Sequence, residues 1–518
     1  MSAPDPENYD DIPPPDEPPE DGTEDGTESK SKGPSLAQQL IAMAQQDYRL
    51  VRSTDSRTYA VPRTGPALAV ALASKKGLRT KLAASMWRRT GQVAGGSALS
   101  DCLTILEGEA QDLTPQPVFL RMARHGTDTI VVDLGTETGH CAVITPNGWT
   151  IEGSAPVLFR RSGLIHPFPK PAPGGTLDPL RKLINLTEED WRLAIGWVVA
   201  GYFCHIPHPI LFVQGEQGTA KSNLMRALLS LIDPQPGAER TPPEGQREWG
   251  IFSNLNWAFG YDNVTEIPLW LSNALCRGAT GDTVMQRELH SDEDVIIFSF
   301  LRVIAINTVA ITHELKNDLA DRLLTLEPEV IEVRMKEEEV AHRRAEALPG
   351  AFAAILDLVS KVLAKLPTTV VANPPRFADF MQVLAAIDAV MGWETEKSYR
   401  AKIMATGMAM IEGDTLARAL YLFAHAVSAD TKPGAAPIWK GDTKDLTTLL
   451  RAVAEKHALP VADIPSGVAH FGRKVREVAP SLRKVGVDVR GWRTNTARGF
   501  TVRTVTPTPD QDHPSSSS

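Results

Sequence analysis

The sequence predicts an α/β protein: a P-loop parallel-sheet core, with helical and β-rich domains ahead of it and a basic winged helix behind it. Three observations carry that reading. The apolar run ILFVQ meets the glycine loop GEQGTAKS and then NLMRALLSLI, whose apolar residues recur at helical spacing. The next stretch, of about 115 residues, alternates strands with helices, as α/β cores do. The basic end reads as two helices followed by a hairpin.

The chain has 518 residues and a formal net charge of −9, which at first argues against a nucleic-acid partner. Residues 1–33 alone hold 11 acidic side chains, 2 lysines and seven prolines, so the whole net charge sits in that segment. With so few large apolar residues it cannot offset chain entropy and is expected to be disordered, as are residues 506–518. Residues 34–116 read as a helical N-terminal domain, with SLAQQLIAMAQQ, LRTKLAASMWRRTG and SALSDCLTILEGEAQ at three- and four-residue apolar spacing. Residues 117–178 read as a β-rich accessory domain, from DTIVVDLG, HCAVIT and GWTIEG, ending in the connector HPFPKPAPGG.

Residues 179–335 form the predicted ATPase core, 336–430 a helical lid and linker, and 431–505 the basic domain. Four cysteines without C-x-x-C spacing suit a reducing cytoplasm rather than a disulfide framework. Cys204, His205 and His208 are a weak metal pattern beside a β-rich run, where ordinary packing is the simpler reading. The longest apolar stretch, Leu193 to Cys204, falls short of the roughly 20 residues of a membrane span, so no membrane partner is expected.

The glycine loop carries the chemistry. In Gly215, Glu216, Gln217, Gly218, Thr219, Ala220, Lys221, Ser222 and Asn223, small residues let backbone N–H groups curl around phosphates. The helix N-terminus adds positive dipole, Lys221 reaches the β/γ-phosphates and Ser222 ligands Mg²⁺, so ATP and Mg²⁺ are the expected cofactors. Ala220 stands where a glycine is usual and would be strained at positive φ. The strand-like NWAFGYDNV ends in Asp262, expected to hold Mg²⁺, followed by Asn263 rather than a second acid. Glu266 is then the candidate general base. FLRVIAIN ends in Asn307, placed as a sensor of the γ-phosphate or its water, and KNDLADRLLTLEP offers Arg322 to a neighbouring subunit's nucleotide. A helix cap, a turn asparagine and a helix-end ion pair are the bland readings of Asp262, Asn307 and Arg322.

Residues 431–503 contain 14 basic and 6 acidic side chains. Helix, turn, helix and the strands VDVRGWRT and FTVRTV suggest a winged helix. Arg473, Lys474 and Arg476 on the second helix and Arg493 and Arg498 on the wing are then available to DNA phosphates. A solvated basic face gives the same pattern.

At these residues the chain resembles the superfamily III and related AAA+ helicase-type ATPases of phages, plasmids and integrative elements, particularly phage-type ATPases of actinobacteria. The resemblance covers roughly residues 117–365, through GWTIEGSAPVLFRRSG, GGTLDPLRKLINLTEED, GEQGTAKS, DNVTEIPLWLSNALCRGATGD, QRELHSDEDVIIF and KNDLADRL. It implies an AAA+/RecA-like core in a ring, a hexamer, with ATP between subunits and single-stranded or forked DNA in the channel. By position it makes Lys221 and Ser222 the phosphate and Mg²⁺ ligands, Asp262 the Walker B acid, Asn307 the sensor and Arg322 the finger. It also makes Arg287 and His290, ahead of the sensor strand, DNA-contacting residues of a hairpin. The resulting expectation is an ATP-dependent helicase or translocase in mobile-element DNA replication, working with a primase or initiator. Two alternatives stay open: an AAA+ ATPase that remodels protein complexes, and an ATP-binding initiator or partition factor with little hydrolysis. Asp133–Gly139, DLGTETG, is similar to a phosphate hairpin of actin and Hsp70-type ATPases, but a β-hairpin of the accessory domain reads more simply.

Overall fold

The computed structural model describes residues 34–505, except 75–76, 238, 282, 288–294, 300, 310–314, 430–437 and 495–496. Five parallel strands make the central sheet, in the order Glu239–Arg240, Ala258–Tyr261, Val303–Thr308, Ile210–Gln214, Leu323–Leu326. Ile210–Val213, Ala258–Tyr261 and Val303–Thr308 are buried, which explains their nearly unbroken apolar runs. The chain enters the sheet at Ile210–Gln214, moves to the far edge, works back and finishes on the opposite side. That first strand therefore lies at a reversal of strand order, where open α/β sheets bind ligands beyond the strands' carboxyl ends.

Residues 34–116, expected to be helical, also contain a β-meander. Helix Leu36–Asp47 runs into antiparallel strands Tyr48–Arg52, Thr58–Pro62 and Leu68–Ala71, and helices Leu78–Thr90 and Gly96–Gln111 follow. The boundary at 116/117 does not separate two units either. Val118–Phe119 and Leu158–Arg160 extend the meander into a five-stranded sheet. Met122–His125, Thr129–Asp133, Cys141–Thr145 and Gly148–Glu152 form a separate four-stranded antiparallel sheet, in which three of the predicted strands lie.

This second sheet packs on helix Glu337–Lys365, with the Trp149 indole donating to Asp357 at 2.7 Å and the Ser360 hydroxyl to the Thr145 carbonyl at 2.6 Å. That helix is the one described helix long and apolar enough to cross a membrane; Ala351, Phe352, Ile355, Leu356 and Val359 are buried in the main core instead. The proline-rich connector is also packed. Phe168 stacks on Phe352 at 4.4 Å, and Gly175 lies so close to Gly350 that a Cβ there would meet its backbone at 2.3 Å.

Arg121 joins the accessory sheet to the central one. Its guanidinium is fully buried, donates to Asp233 at 2.7 Å and to the carbonyls of Asp133, His166 and Pro234, and lies over the Phe168 ring. Asp233 in turn accepts from the backbone N–H groups of Trp257 and Ala258, at the start of a central strand. A second junction gathers arginines from three places at the end of helix Gln246–Leu255. Arg57 and Arg160 reach Asn254 at 3.2 and 2.9 Å and Arg302 reaches the Ser253 carbonyl, a placement that suits the negative end of a helix dipole.

Helices Ala378–Met391, Thr395–Gly413 and Thr415–Ala429 lead to the last domain. There, strand Ile438–Asp442, helices Thr443–Lys456 and Val468–Lys484, and hairpin Val487–Arg493/Arg498–Thr504 form a helix pair beside a three-stranded antiparallel sheet. The strand Ile438–Asp442 is an addition to the predicted helix, helix and hairpin. An ion pair between Lys484 and Asp321 ties this domain to the core.

Replacing Arg121 by Met should destabilise the protein by about 3–5 kcal/mol, because Asp233 would keep its buried charge without its guanidinium partner. Chemical denaturation of Arg121→Met checks this; a loss below about 1 kcal/mol would mean that the junction is not structural.

Candidate functional site

The glycine loop leaves the carboxyl end of Ile210–Gln214 and ends at Lys221, the first residue of helix Lys221–Ser230. Gly218 and Ala220 have φ of +88° and +54°, so two left-handed residues make the turn. Ala220 accepts a strain that glycine would avoid, as its sequence position implied. The Thr219 hydroxyl, buried, donates to the Glu216 carbonyl at 2.9 Å, and the Asn185 side-chain amide donates to the Thr219 carbonyl at 2.9 Å. The Lys221 ammonium donates to the carbonyls of Gly215 and Glu216 at 2.9 and 2.7 Å. Burial lowers its pKa below the ordinary lysine value, with the Asp262 carboxylate acting the other way.

Three elements then converge beside the helix N-terminus. The Ser222 hydroxyl donates to Asp262 Oδ1 at 2.8 Å, and the Asn307 side-chain amide donates to the same oxygen. Asn307 Oδ1 accepts the Asn263 N–H at 2.7 Å, and its backbone carbonyl accepts the Val264 N–H at 2.9 Å. Asn307 is buried, at 1% exposure, so its amide is held where it is by these bonds. Ser222 and Asp262 bring a hydroxyl and a carboxylate to one point, the hard oxygen donors that suit Mg²⁺. With the loop N–H groups and Lys221, this donor set fits a nucleotide phosphate chain with its metal.

Residues 177–406 match the family model described as "Actinomycete integrative conjugative element replication protein", and residues 416–516 match that described as "AICE RepA C-terminal domain". Both stretches are similar to this replication-protein family, the longer match covering somewhat under half of the chain. Both the glycine loop and the Asp262 and Asn307 cluster fall inside the first match, and the helix pair with its hairpin falls inside the second. No protein of curated function matches the sequence. Among solved structures, the apo NrS-1 C-terminal region (A form) is 10% identical, with 90% of this chain and 99% of that one covered and a TM-score of 0.41. A JCV helicase with a bound acetamide compound is 12% identical, with 45% and 72% covered and a TM-score of 0.23. Likeness at these scores carries no residue roles.

The other candidate residues divide. Asn263 sits at φ +53° with its side chain exposed, so only its N–H enters the cluster. Glu266 is exposed and makes no hydrogen bond with the cluster, so a base is not assembled there. Asn223 caps nothing at the loop; its side chain accepts from Arg226 at 3.2 Å. Arg322 is corrected as a free finger. It precedes strand Leu323–Leu326, at the amino ends of the strands and so away from the glycine loop at their carboxyl ends, is 7% exposed, and is ion-paired with Asp318. Reaching a neighbouring nucleotide would require breaking that pair. Arg287 ends strand Thr283–Arg287, opposite Val295 in a two-stranded hairpin, while His290 lies outside the described residues.

In the C-terminal domain, Arg473 and Arg476 lie one turn apart and exposed on helix Val468–Lys484. Arg493 and Arg498 are exposed and directly opposite each other in the hairpin, where like charges repel unless an anion lies between them. None of these four guanidiniums is bonded to a described residue. Lys474 is corrected: it is ion-paired with Asp414 at 3.1 Å and Glu477 at 3.4 Å, fastening the domain to the preceding helices rather than facing a phosphate.

The DLGTETG hairpin is also settled as structural. Arg161 holds the Asp133 carboxylate at 2.6 and 2.8 Å, and the Gly135 N–H donates to it at 3.0 Å. Cys204, His205 and His208 gather no metal group among the described residues. His208 is fully buried against Trp257, and burial depresses its pKa to about 3. Sequence reading missed Asn185 and Arg334, both of which contact the loop from distant segments that carry no motif.

Ala220→Gly should raise stability by up to about 1 kcal/mol, the relief of left-handed strain less the added chain entropy of glycine. Thermal unfolding should show a higher midpoint with the glycine loop still functional; a lower midpoint would mean that the alanine is not strained.

Proposed function

We propose that this protein is an ATP-dependent DNA helicase or translocase with an AAA+/RecA-like core, working as a ring of copies, a hexamer, on single-stranded or forked DNA. One observation carries the reading: Ser222, Asp262 and Asn307 meet beside Lys221 at the carboxyl edge of a parallel sheet. In that geometry Lys221 and the loop N–H groups would hold the β/γ-phosphates, Ser222 and Asp262 would ligand Mg²⁺, and Asn307 would sense the terminal phosphate or its water. Bound Mg²⁺ supplies charge neutralisation between the phosphates.

The ring is supported by the segment that follows the last strand. It exposes Val330 and Val333, at 69% and 83%, close to the glycine loop, an apolar surface suited to a second copy. The DNA reading rests on the four free arginines of the winged-helix-like C-terminal domain. A primase or initiator partner and a cytoplasmic setting belong to the same proposal. The exposed Asn263 and Glu266 favour a second reading, an ATP-binding initiator with slow turnover, because no further carboxylate joins Asp262 among the described residues.

ATP turnover measured with and without forked DNA tests both readings. The wild type should hydrolyse ATP and be stimulated by DNA, Lys221→Ala should be inactive, and Arg493→Ala/Arg498→Ala should lose DNA stimulation at moderate salt while keeping basal turnover. Binding by that double variant should have a salt slope lower by about 2. Tight ATP binding with negligible turnover at every DNA concentration would favour the initiator; no ATP binding at all would refute both.

A further inference from the structure

The segment 327–336, between the last central strand and helix Glu337–Lys365, crosses directly over the glycine loop. Asn185 fastens one end: its side-chain amide donates to the Glu329 carbonyl at 2.6 Å as well as to Thr219, and its backbone carbonyl accepts the Glu329 N–H at 2.7 Å. Pro328 lies 3.7 Å from where a Cβ on Gly215 would stand. At the far end Glu337 approaches Arg226, on the helix that follows the loop, at 3.9 Å. Loop and strap are thus held together on both sides.

Between these anchors the strap brings Arg334 onto the loop. A Cβ built on Gly218 would lie 2.6 Å from Arg334 Nη2, 3.4 Å from Cζ and 3.8 Å from Nη1. The guanidinium therefore occupies space that exists because residue 218 has no side chain. Arg334 is otherwise exposed, and among the described residues it makes no hydrogen bond or ion pair, although Glu332 is only two residues away in sequence. A planar cation with five free donors beside a loop of phosphate-binding N–H groups is matched to phosphate oxygens, which it can bind in pairs.

We propose that Arg334 is a phosphate-binding residue acting in cis, contacting the terminal phosphate of a nucleoside triphosphate held on its own chain's loop. This rests on the phosphate-loop reading above and adds to it the source of positive charge that Arg322, buried and paired with Asp318, does not supply. A guanidinium on the terminal phosphate favours the triphosphate over the diphosphate. It also places charge where it develops as that phosphate is transferred.

The test is equilibrium binding of fluorescent ATP and ADP analogues, with Mg²⁺, to the full-length wild type, Arg334→Ala and Arg334→Lys. Arg334→Ala should lose about tenfold or more in ATP affinity while ADP affinity changes by less than about twofold, as expected for loss of a charge-assisted contact to one phosphate. Arg334→Lys should fall between, keeping the charge without the paired donors. An unchanged ATP-to-ADP affinity ratio in Arg334→Ala would overturn the assignment while leaving the phosphate loop intact. Failure of the wild type to bind either analogue would overturn the phosphate-loop reading, and this assignment with it.

Discussion

The hydrogen bonds that meet on Asp262 Oδ1 set the geometry on which the site depends. Ser222 lies in the first turn of the helix after the glycine loop, Asp262 follows one central strand and Asn307 belongs to the strand between, so a single oxygen ties three elements together. Buried Asn307 is the pivot: its side chain bonds Asp262 and the Asn263 N–H, and its backbone bonds Val264. Replacing Asn307 with an apolar residue would keep the backbone bond to Val264 but leave the Asn263 N–H without its partner and Asp262 with Ser222 alone, which is costly. A metal arriving between Ser222 and Asp262 would take over oxygens that now satisfy one another, so the site is formed before ligand enters.

The domains around this cluster are fitted to it rather than strung along a linker. Buried Arg121 links the accessory sheet to the helix end at Asp233 and through it to the strand that leads to Asp262. Asn185 links the segment ahead of the core to the glycine loop and to the strap after the last strand. Lys484 reaches Asp321 from the C-terminal domain, one residue from Arg322. Contacts of this kind tie the basic C-terminal domain to the core through packed elements rather than through a flexible connection.

Much of the core was legible because its signals are local. A buried parallel strand is a short apolar run, and a phosphate loop needs small residues followed by Lys-Ser at one place in the chain, so Lys221, Ser222, Asp262 and Asn307 could be found in order. The meander of residues 48–71 was not legible, because YRLVR, TYAVP and LAVA are short strands between strongly periodic helices. Arg322 and Lys474 were misplaced for another reason: a charge in sequence looks the same whether it faces solvent or pairs with Asp318 or Asp414. Arg334 escaped notice because its role comes from a close approach to Gly218, over a hundred residues earlier, which no spacing records. Net charge misled in the same manner, since the −9 belongs to the first 33 residues and the C-terminal domain is basic.

If Ser222 and Asp262 form a metal-assisted phosphate site, ATP binding must depend on Mg²⁺ through Asp262. Calorimetric titration of ATP into the wild type and Asp262→Ala, each with Mg²⁺ and with chelator, measures that dependence directly. The account predicts that Mg²⁺ tightens ATP binding by about tenfold or more in the wild type and by little in Asp262→Ala. Equal tightening in both proteins, or none in the wild type, would contradict it.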